Sequence, residues 1–203
     1  MSAEAVRRAE RDRWTAQANY LAARQDEKDD DDPTTEEGRT TTQRVISGSL
    51  KYDYFFSKKI YAYAGAKGEK DRLADLRLRL NASTGAGVQW IETDEVKLST
   101  EGGLGWLAEY FEDGSENGTL SGRFAYAFTR QFGEAVRLFH NFEGLHGFDD
   151  PHDFLVQTDA GLRSSLTKSM FSEVKVVLNW DSTPSSDAER TDVRYILGVG
   201  LKF

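Results

Sequence analysis

Charged side chains recur at alternate positions along several segments of this chain. If these segments are strands, the charges lie on one face and line an interior. A charged interior can select ions, or its opposite charges can pair into a ladder that fills a narrow lumen. We favour the ladder, because arginine side chains are long. The charges assigned to this ladder are Arg77, Arg79, Glu101, Arg123, Arg137, Glu143, Asp159, Arg163, Glu173, Lys175 and Arg194.

An acidic run between residues 26 and 37 has the side chains that hard cations prefer. Its acids are Asp26, Glu27, Asp29, Asp30, Asp31, Asp32, Glu36 and Glu37. Carboxylate oxygens at this density could hold Ca²⁺ or Mg²⁺. The spacing does not match an EF-hand, and acidic runs of this kind are usually solvated. We therefore expect no specific metal site; weak bridging of divalent cations to phosphate groups outside the chain is the alternative.

The histidines are the remaining candidates for catalysis. A lipid hydrolase would need a serine and a histidine together with a carboxylate. His140 falls among apolar positions, whereas His146 and His152 lie near Asp149 and Asp150. No serine is marked as a nucleophile by its surroundings. We predict no catalytic residue, no enzymatic activity and no cofactor.

The elements that position these charges are recognised by strict alternation. In a strand, successive side chains point to opposite faces, so apolar residues at every second position form one apolar stripe. In a helix the same leucines would spiral around the axis. We predict that the stripe faces the membrane; its residues are Leu76, Leu78, Leu80, Val174, Val176, Leu178, Tyr195, Leu197, Val199 and Leu201.

This alternation predicts ten strands between Trp14 and Phe203, although the phase of residues 60–67 is ambiguous. Residues 1–13 are expected to be a partial first strand or a tail, and residues 3–9 could also form a short helix because Ala, Glu and Arg favour helices. Closed barrels of this type have an even number of strands. We therefore expect one domain over residues 1–203, with twelve strands in the intact protein.

The connectors between the predicted strands are of two kinds. Short turns are expected at 55–59, 92–95, 131–134 and 165–170, and longer acidic loops at 25–41, 68–75, 112–118, 147–153 and 181–190. Short periplasmic turns and longer outer loops are typical of outer-membrane barrels. The terminal Phe203 falls on the short-turn side and resembles the signal that the barrel-assembly machinery reads.

Composition narrows the class of protein. The net charge of −8 argues against a nucleic-acid partner, since such proteins present a basic face. The absence of cysteine excludes disulfides and thiolate metal sites. No apolar export segment follows Met1, so we expect that the chain is truncated and has lost its signal. Mean hydropathy is −0.60, which alone would indicate a soluble protein, but barrel strands also average out as polar.

Several short runs, taken in order, resemble a known family. They are Lys51–Phe55, Glu69–Arg72, Ala74–Arg77, Gly85–Val88, Glu101–Gly105, Phe139–Asn141, Gly161–Arg163 with Leu166–Thr167, and Gly198–Phe203. Over residues 14–203 the chain is similar to the YdiY-like salt-induced outer membrane proteins, a domain of unknown function. The resemblance implies an outer-membrane β-barrel of Gram-negative bacteria, without an established activity. Members begin with a signal peptide and additional strand sequence, which favours twelve strands here.

These observations predict an all-β protein, an antiparallel up-and-down transmembrane β-barrel of the bacterial outer membrane. Its function is expected to be structural or that of a small, porin-like pore, with a charge-lined lumen that is open or plugged. Two alternatives remain: a receptor barrel that binds through its surface loops, and a soluble lipocalin-like barrel that holds one ligand. The expected partners are outer-membrane lipid, lipopolysaccharide and the barrel-assembly machinery.

Overall fold

The computed structural model describes residues 2–26, 39–71, 76–111, 114, 116–150, 152–183 and 190–201. Its regular elements are the strands β1 (Ser2–Arg8), β2 (Asp12–Asp26), β3 (Arg39–Phe55), β4 (Ile60–Asp71), β5 (Leu76–Glu92), β6 (Val96–Phe111), β7 (Glu116–Phe132), β8 (Val136–Gly147), β9 (Phe154–Ser165), β10 (Met170–Asp181) and β11 (Thr191–Leu201). None of the described residues lies in a helix that is both long and apolar enough to cross a membrane.

The strands form one sheet in which their spatial order is their order along the chain, from β1 to β11. The pairing is antiparallel: Val174 of β10 lies opposite Leu162 of β9 on one side and Leu197 of β11 on the other. Each interior strand therefore takes its backbone hydrogen bonds from the strands before and after it. This is the up-and-down topology that the sequence predicts.

The first strand decides between the alternatives that the sequence leaves open for residues 1–13. Ser2–Arg8 pairs with β2 along its whole length, from Ser2 opposite Asn19 to Arg8 opposite Arg13. The ten strands predicted between Trp14 and Phe203 are β2 to β11, and residues 1–13 contribute the partial first strand that the sequence left as one alternative. The helix considered for residues 3–9 is wrong. Pairing with β2 decides the conformation here, because helix propensity is a weak preference that neighbouring structure overrides.

Hydroxyl side chains fix several of the short turns. Ser57 Oγ accepts hydrogen bonds from the backbone N–H groups of Lys59 and Ile60, in the turn between β3 and β4. Thr93 Oγ1 accepts one from Val96 N, between β5 and β6. Thr167 Oγ1 plays the same part between β9 and β10. At a turn the backbone N–H groups have no partner strand, and these hydroxyl groups accept their hydrogen bonds instead.

Two of the predicted long connectors are shorter than expected. β4 continues to Asp71 and β5 begins at Leu76, so only residues 72–75 lie between them. Likewise, β6 ends at Phe111 and β7 begins at Glu116. Glu69, a charged residue of the first predicted connector, pairs with the next strand: its Oε1 lies 3.9 Å from Nη1 of Arg79 on β5. Its Oε2 lies 3.5 Å from Nζ of Lys67 on its own strand.

The residues divide into two compact units. Unit 1 comprises Met1–Asp53, Ala64–Ala82 and Trp106–Gly118, and unit 2 comprises Tyr54–Tyr63, Ser83–Gly105 and Thr119–Phe203. In unit 1, large apolar side chains such as Leu50 and Trp106 are exposed, and the Trp14 and Tyr52 rings pack at 4.6 Å.

Unit 2 has two faces of opposite character. The apolar face carries Phe124 and Val174, which are 51% and 55% exposed. The opposite face, here called the polar face, carries Glu101 and Arg123. Each of these side chains is only 10% exposed, because neighbouring side chains on the same face cover it. Its core cluster includes Tyr61, which is fully buried. The environment of the two faces is thus the reverse of that in a soluble barrel, whose apolar side chains point inward.

Glycines in β5 and β6 make room for the aromatic rings of the polar face. A Cβ atom on Gly87 would lie 2.3 Å from Cζ of Tyr61, and one on Gly103 would lie 2.1 Å from the backbone oxygen of Thr84. No side chain fits at such distances. The Tyr61 ring of β4 therefore lies against the backbone of β5 at Gly87, and the Tyr63 hydroxyl lies close to Gly103 of β6, where only glycine leaves the space.

Replacing Gly87 with alanine should destabilise the protein by about 1–3 kcal/mol, since the added methyl group overpacks the buried Tyr61 ring. The matched control is Gly102→Ala on β6, whose Cβ would meet nothing within 4 Å. The free energy of unfolding in urea, measured in lipid vesicles, should fall for the first variant only. Equal values for the two variants would contradict the packing described here.

Candidate functional site

Arg123 is the centre of the polar face in unit 2. It projects from β7 between a glutamate of β6 and a glutamate of β8. Its Nη1 atom lies 2.9 Å from Oε2 of Glu101, and its Nε lies 2.5 Å from Oε1 of Glu143. The side chains of Arg123 and Glu101 are each only 10% exposed. A single guanidinium thus joins three neighbouring strands through two charge-assisted contacts.

Two tyrosines of β4 complete this arrangement. The Tyr61 hydroxyl donates a hydrogen bond of 2.8 Å to Oε1 of Glu101. The Tyr63 ring lies under the guanidinium, with its centroid 5.0 Å from Cζ of Arg123, within the range of a cation–π interaction. We call Tyr61, Tyr63, Glu101, Arg123 and Glu143 the Arg123 cluster.

The Arg123 cluster holds its charges in fixed positions. Buried ions lose their hydration, and this cost is recovered only where partners are well placed. Arg123 has a carboxylate on either side, and Glu101 accepts from both Arg123 and Tyr61. What the cluster supplies is a rigid, charged and bulky surface.

A second set of charges lies on β8, β9 and β10. Nη2 of Arg163 is 2.6 Å from Oε2 of Glu173, and its guanidinium lies 4.3 Å from the Phe171 ring centroid. The side-chain amide of Asn141 donates to Asp159 at 3.1 Å. These contacts connect β8 to β9 and β9 to β10 across the polar face.

The remaining charges of the predicted ladder are placed separately. In unit 1, Nη2 of Arg79 lies 2.6 Å from Oε1 of Glu109. In unit 2, Arg194 pairs with Asp192 on its own strand at 3.1 Å, and Arg137 donates to Gln131 at 3.3 Å. Most of the predicted charges whose side chains are described thus form local pairs or clusters within one unit; a ladder that lines a lumen stays a prediction.

Sequence reasoning missed the most buried charge among the described residues of unit 1. Asp53 is 0% exposed, and its carboxylate lies 2.7 Å from Nε of Arg13 and 3.0 Å from Nζ of Lys51. The pairing with Lys51 is visible in the sequence, since residues two apart share a face of a strand. The pairing with Arg13 joins residues 40 positions apart and has no local signal.

Most of the described residues that were predicted to face the membrane have exposed side chains. Exposure is 38% for Leu80, 55% for Val174, 37% for Val176, 82% for Tyr195, 80% for Leu197 and 68% for Val199, whereas Leu78 and Leu178 are half-buried. The side chains of Leu76, Arg77 and Leu201, and the whole of Phe203, lie outside the description. Contact of these residues with lipid stays a prediction.

His140 lies on the apolar face, where both ring nitrogens have partners. Nδ1 is 2.9 Å from the Tyr126 hydroxyl, and Nε2 is 3.0 Å from Oγ1 of Thr158. His146 stacks on the Phe154 ring at 4.3 Å. The acidic run at 27–37 falls outside the described residues; within the described ones, no group of three or more His, Asp or Glu side chains is placed to hold a metal ion.

The fold and the distribution of exposed apolar residues define the class of protein. A chain-long antiparallel meander with one exposed apolar face is the arrangement of a transmembrane β-barrel. The NanC porin shares this fold with a TM-score of 0.58 and 9% sequence identity, over 100% of this chain and 97% of the porin chain. The P. putida toluene transporter TodX gives a TM-score of 0.39 at 10% identity, over 88% and 66% of the two chains.

The particular family follows from the sequence match. Residues 1–203 match the family described as "Protein of unknown function, DUF481", and the chain belongs to that family. Membership agrees with the resemblance to YdiY-like outer membrane proteins. A comparison with curated proteins finds no match.

Replacing Arg123 with methionine should destabilise the protein by about 3–5 kcal/mol, because Glu101 and Glu143 would keep their charges without their shared partner. The control is Arg130→Met on the same strand, where the side chain is exposed and a change of less than about 0.5 kcal/mol is expected. Urea unfolding in vesicles measures both. Restoring neutrality with Glu101→Gln and Glu143→Gln should recover part of the loss; no recovery would contradict the assigned pairing.

Proposed function

We propose that this protein is an outer-membrane β-barrel that forms a narrow, charge-lined pore. In this proposal the polar face lines the lumen and the apolar face contacts lipid. The observation that carries the proposal is the Arg123 cluster, a buried group of fixed charges on the face opposite the exposed apolar side chains. Membership of the DUF481 family and the fold shared with a porin support it.

The proposed pore is narrow because large side chains occupy its lining. Tyr61 and Tyr63 are buried against the polar face, and the guanidinium of Arg123 lies over one of them. Charges that are already paired do not bind a passing ion tightly, yet they impose a local potential on it. We therefore expect a low conductance with a preference for one sign of charge.

The alternatives have weaker support. A soluble barrel that holds a ligand would place apolar side chains inside, whereas Tyr195 and Leu197 are 82% and 80% exposed. A receptor that acts through its acidic loop depends on residues 27–37, which the structure does not describe.

Conductance tests the pore directly. Refolded into a planar bilayer, the full chain should give small, steady single-channel currents. Tyr63→Ala should increase the conductance, because it removes a ring from the proposed lining while leaving the three charges of the cluster. The control is Tyr195→Ala, which removes an exposed ring from the apolar face and should leave the conductance unchanged.

Folding of each variant is checked by its heat-modifiable migration on a gel. A wild-type barrel that is folded but electrically silent would overturn the pore. So would equal currents from wild-type protein and a folded Tyr63→Ala variant, since the ring would then lie outside the conducting path.

A further inference from the structure

Two arginines face each other at the short-turn end of the polar face in unit 2. Arg137 of β8 lies directly opposite Arg163 of β9. Residues paired in this way have their Cβ atoms about 5 Å apart, and like charges in such positions repel one another. Such a pair destabilises the sheet unless negative charge compensates it.

Among the described residues, only one of the two arginines has a carboxylate partner. Arg163 binds Glu173 through both Nε and Nη2 and lies over the Phe171 ring. Arg137 donates to the neutral amide oxygen of Gln131, at 3.3 Å, and its side chain is exposed. In the part of the chain that the structure describes, Arg137 forms no ion pair.

A third cation lies on the same face, one row further along the strands. Lys175 of β10 is opposite Gly161 of β9, which in turn is opposite Phe139 of β8. The Phe139 ring covers Gly161, where a Cβ atom would lie 2.6 Å from Cζ of the ring and 2.7 Å from Cβ of Lys175. No ion pair within the described residues involves Lys175. The described acids nearest to these cations are Glu173, which Arg163 binds, and Asp159, which lies on the same face of β9 and accepts from Asn141.

We propose that Arg137 and Arg163 form a binding subsite for a small solute that carries a carboxylate or phosphate group. A guanidinium presents its N–H groups as a planar fork that matches the oxygens of such an anion. An anion between the two forks would offset their repulsion, with Lys175 contributing further positive potential. The proposal deepens the proposed pore function and rests on it, since a lumen is what would bring solutes to the polar face.

Calorimetric titration of the full chain, refolded in detergent micelles, tests the subsite without requiring conduction. The probes are inorganic phosphate and, separately, malonate, each against sodium chloride of equal ionic strength. At least one probe should bind to the wild-type protein, and the probe that binds identifies the anion class. Arg137→Gln should weaken that binding about tenfold, the effect of losing a charge-assisted hydrogen bond.

The matched control is Arg130→Gln, which removes the same charge from the same end of the sheet. Arg130 neighbours Gln131 in β7 and therefore lies on the opposite face, with its guanidinium 5.0 Å from the Phe132 ring centroid. The control should bind the probe with wild-type affinity. An equal loss in both variants would reduce the effect to net charge and overturn the subsite.

The remaining outcomes also decide the proposal. Wild-type protein that binds neither probe overturns it. If Arg137→Gln does not fold, Arg137→Lys keeps the charge without the fork and should still weaken binding severalfold; wild-type affinity would overturn the subsite. A silent barrel that binds phosphate would refute the pore alone, whereas a conducting barrel that binds neither probe would refute the subsite alone.

Discussion

The rest of this structure depends on one constraint: each strand forms its backbone hydrogen bonds with the strands that precede and follow it along the chain. In hydrocarbon no water can pair with an exposed N–H or C=O group, and each unpaired group costs several kcal/mol. The meander from β1 to β11 gives every interior strand a partner on both sides. Once the strands pair in this order, successive side chains point to opposite faces of the sheet. The alternating sequence then places the apolar side chains on one face and the polar side chains on the other.

Charges that are packed together on the polar face lose hydration, and this cost has to be offset by well-placed partners. In unit 2 the solution is a single arginine shared by two glutamates, with tyrosines that supply a hydrogen bond and an aromatic surface. Glycines at positions 87 and 103 make the solution possible, because any side chain there would occupy the space of the rings or of the neighbouring backbone. Bulk and charge are therefore fixed together, which connects the stability of the fold to the width of the proposed pore.

Features that depend on residues close together in the sequence could be predicted, whereas contacts between residues far apart in the sequence could not. The alternation from Val193 onward identifies β11, since one face of a strand is a local property. Arg163 and Glu173 are 10 positions apart on consecutive strands, so their proximity could be expected from a short turn. Ser2–Arg8 was ambiguous because its composition also suits a helix, and only pairing with β2 decides it.

Interactions between distant segments could not be predicted in the same way. Arg13 and Asp53 are 40 positions apart, as are Tyr61 and Glu101. Their contacts depend on the registers of intervening strands, which alternation alone leaves open. The phase of β4 was ambiguous for a related reason: a tyrosine has both an apolar ring and a polar hydroxyl and so suits either face.

The most direct test of this account asks whether the apolar face lies in lipid. The chain has no cysteine, so single cysteines at 193–200 can each carry a nitroxide spin label in the reconstituted protein. Collision with lipid-dissolved oxygen should alternate with a period of two, high at 193, 195, 197 and 199 and low at the even positions. Uniform exposure to a water-soluble nickel reagent, without alternation, would contradict the transmembrane barrel.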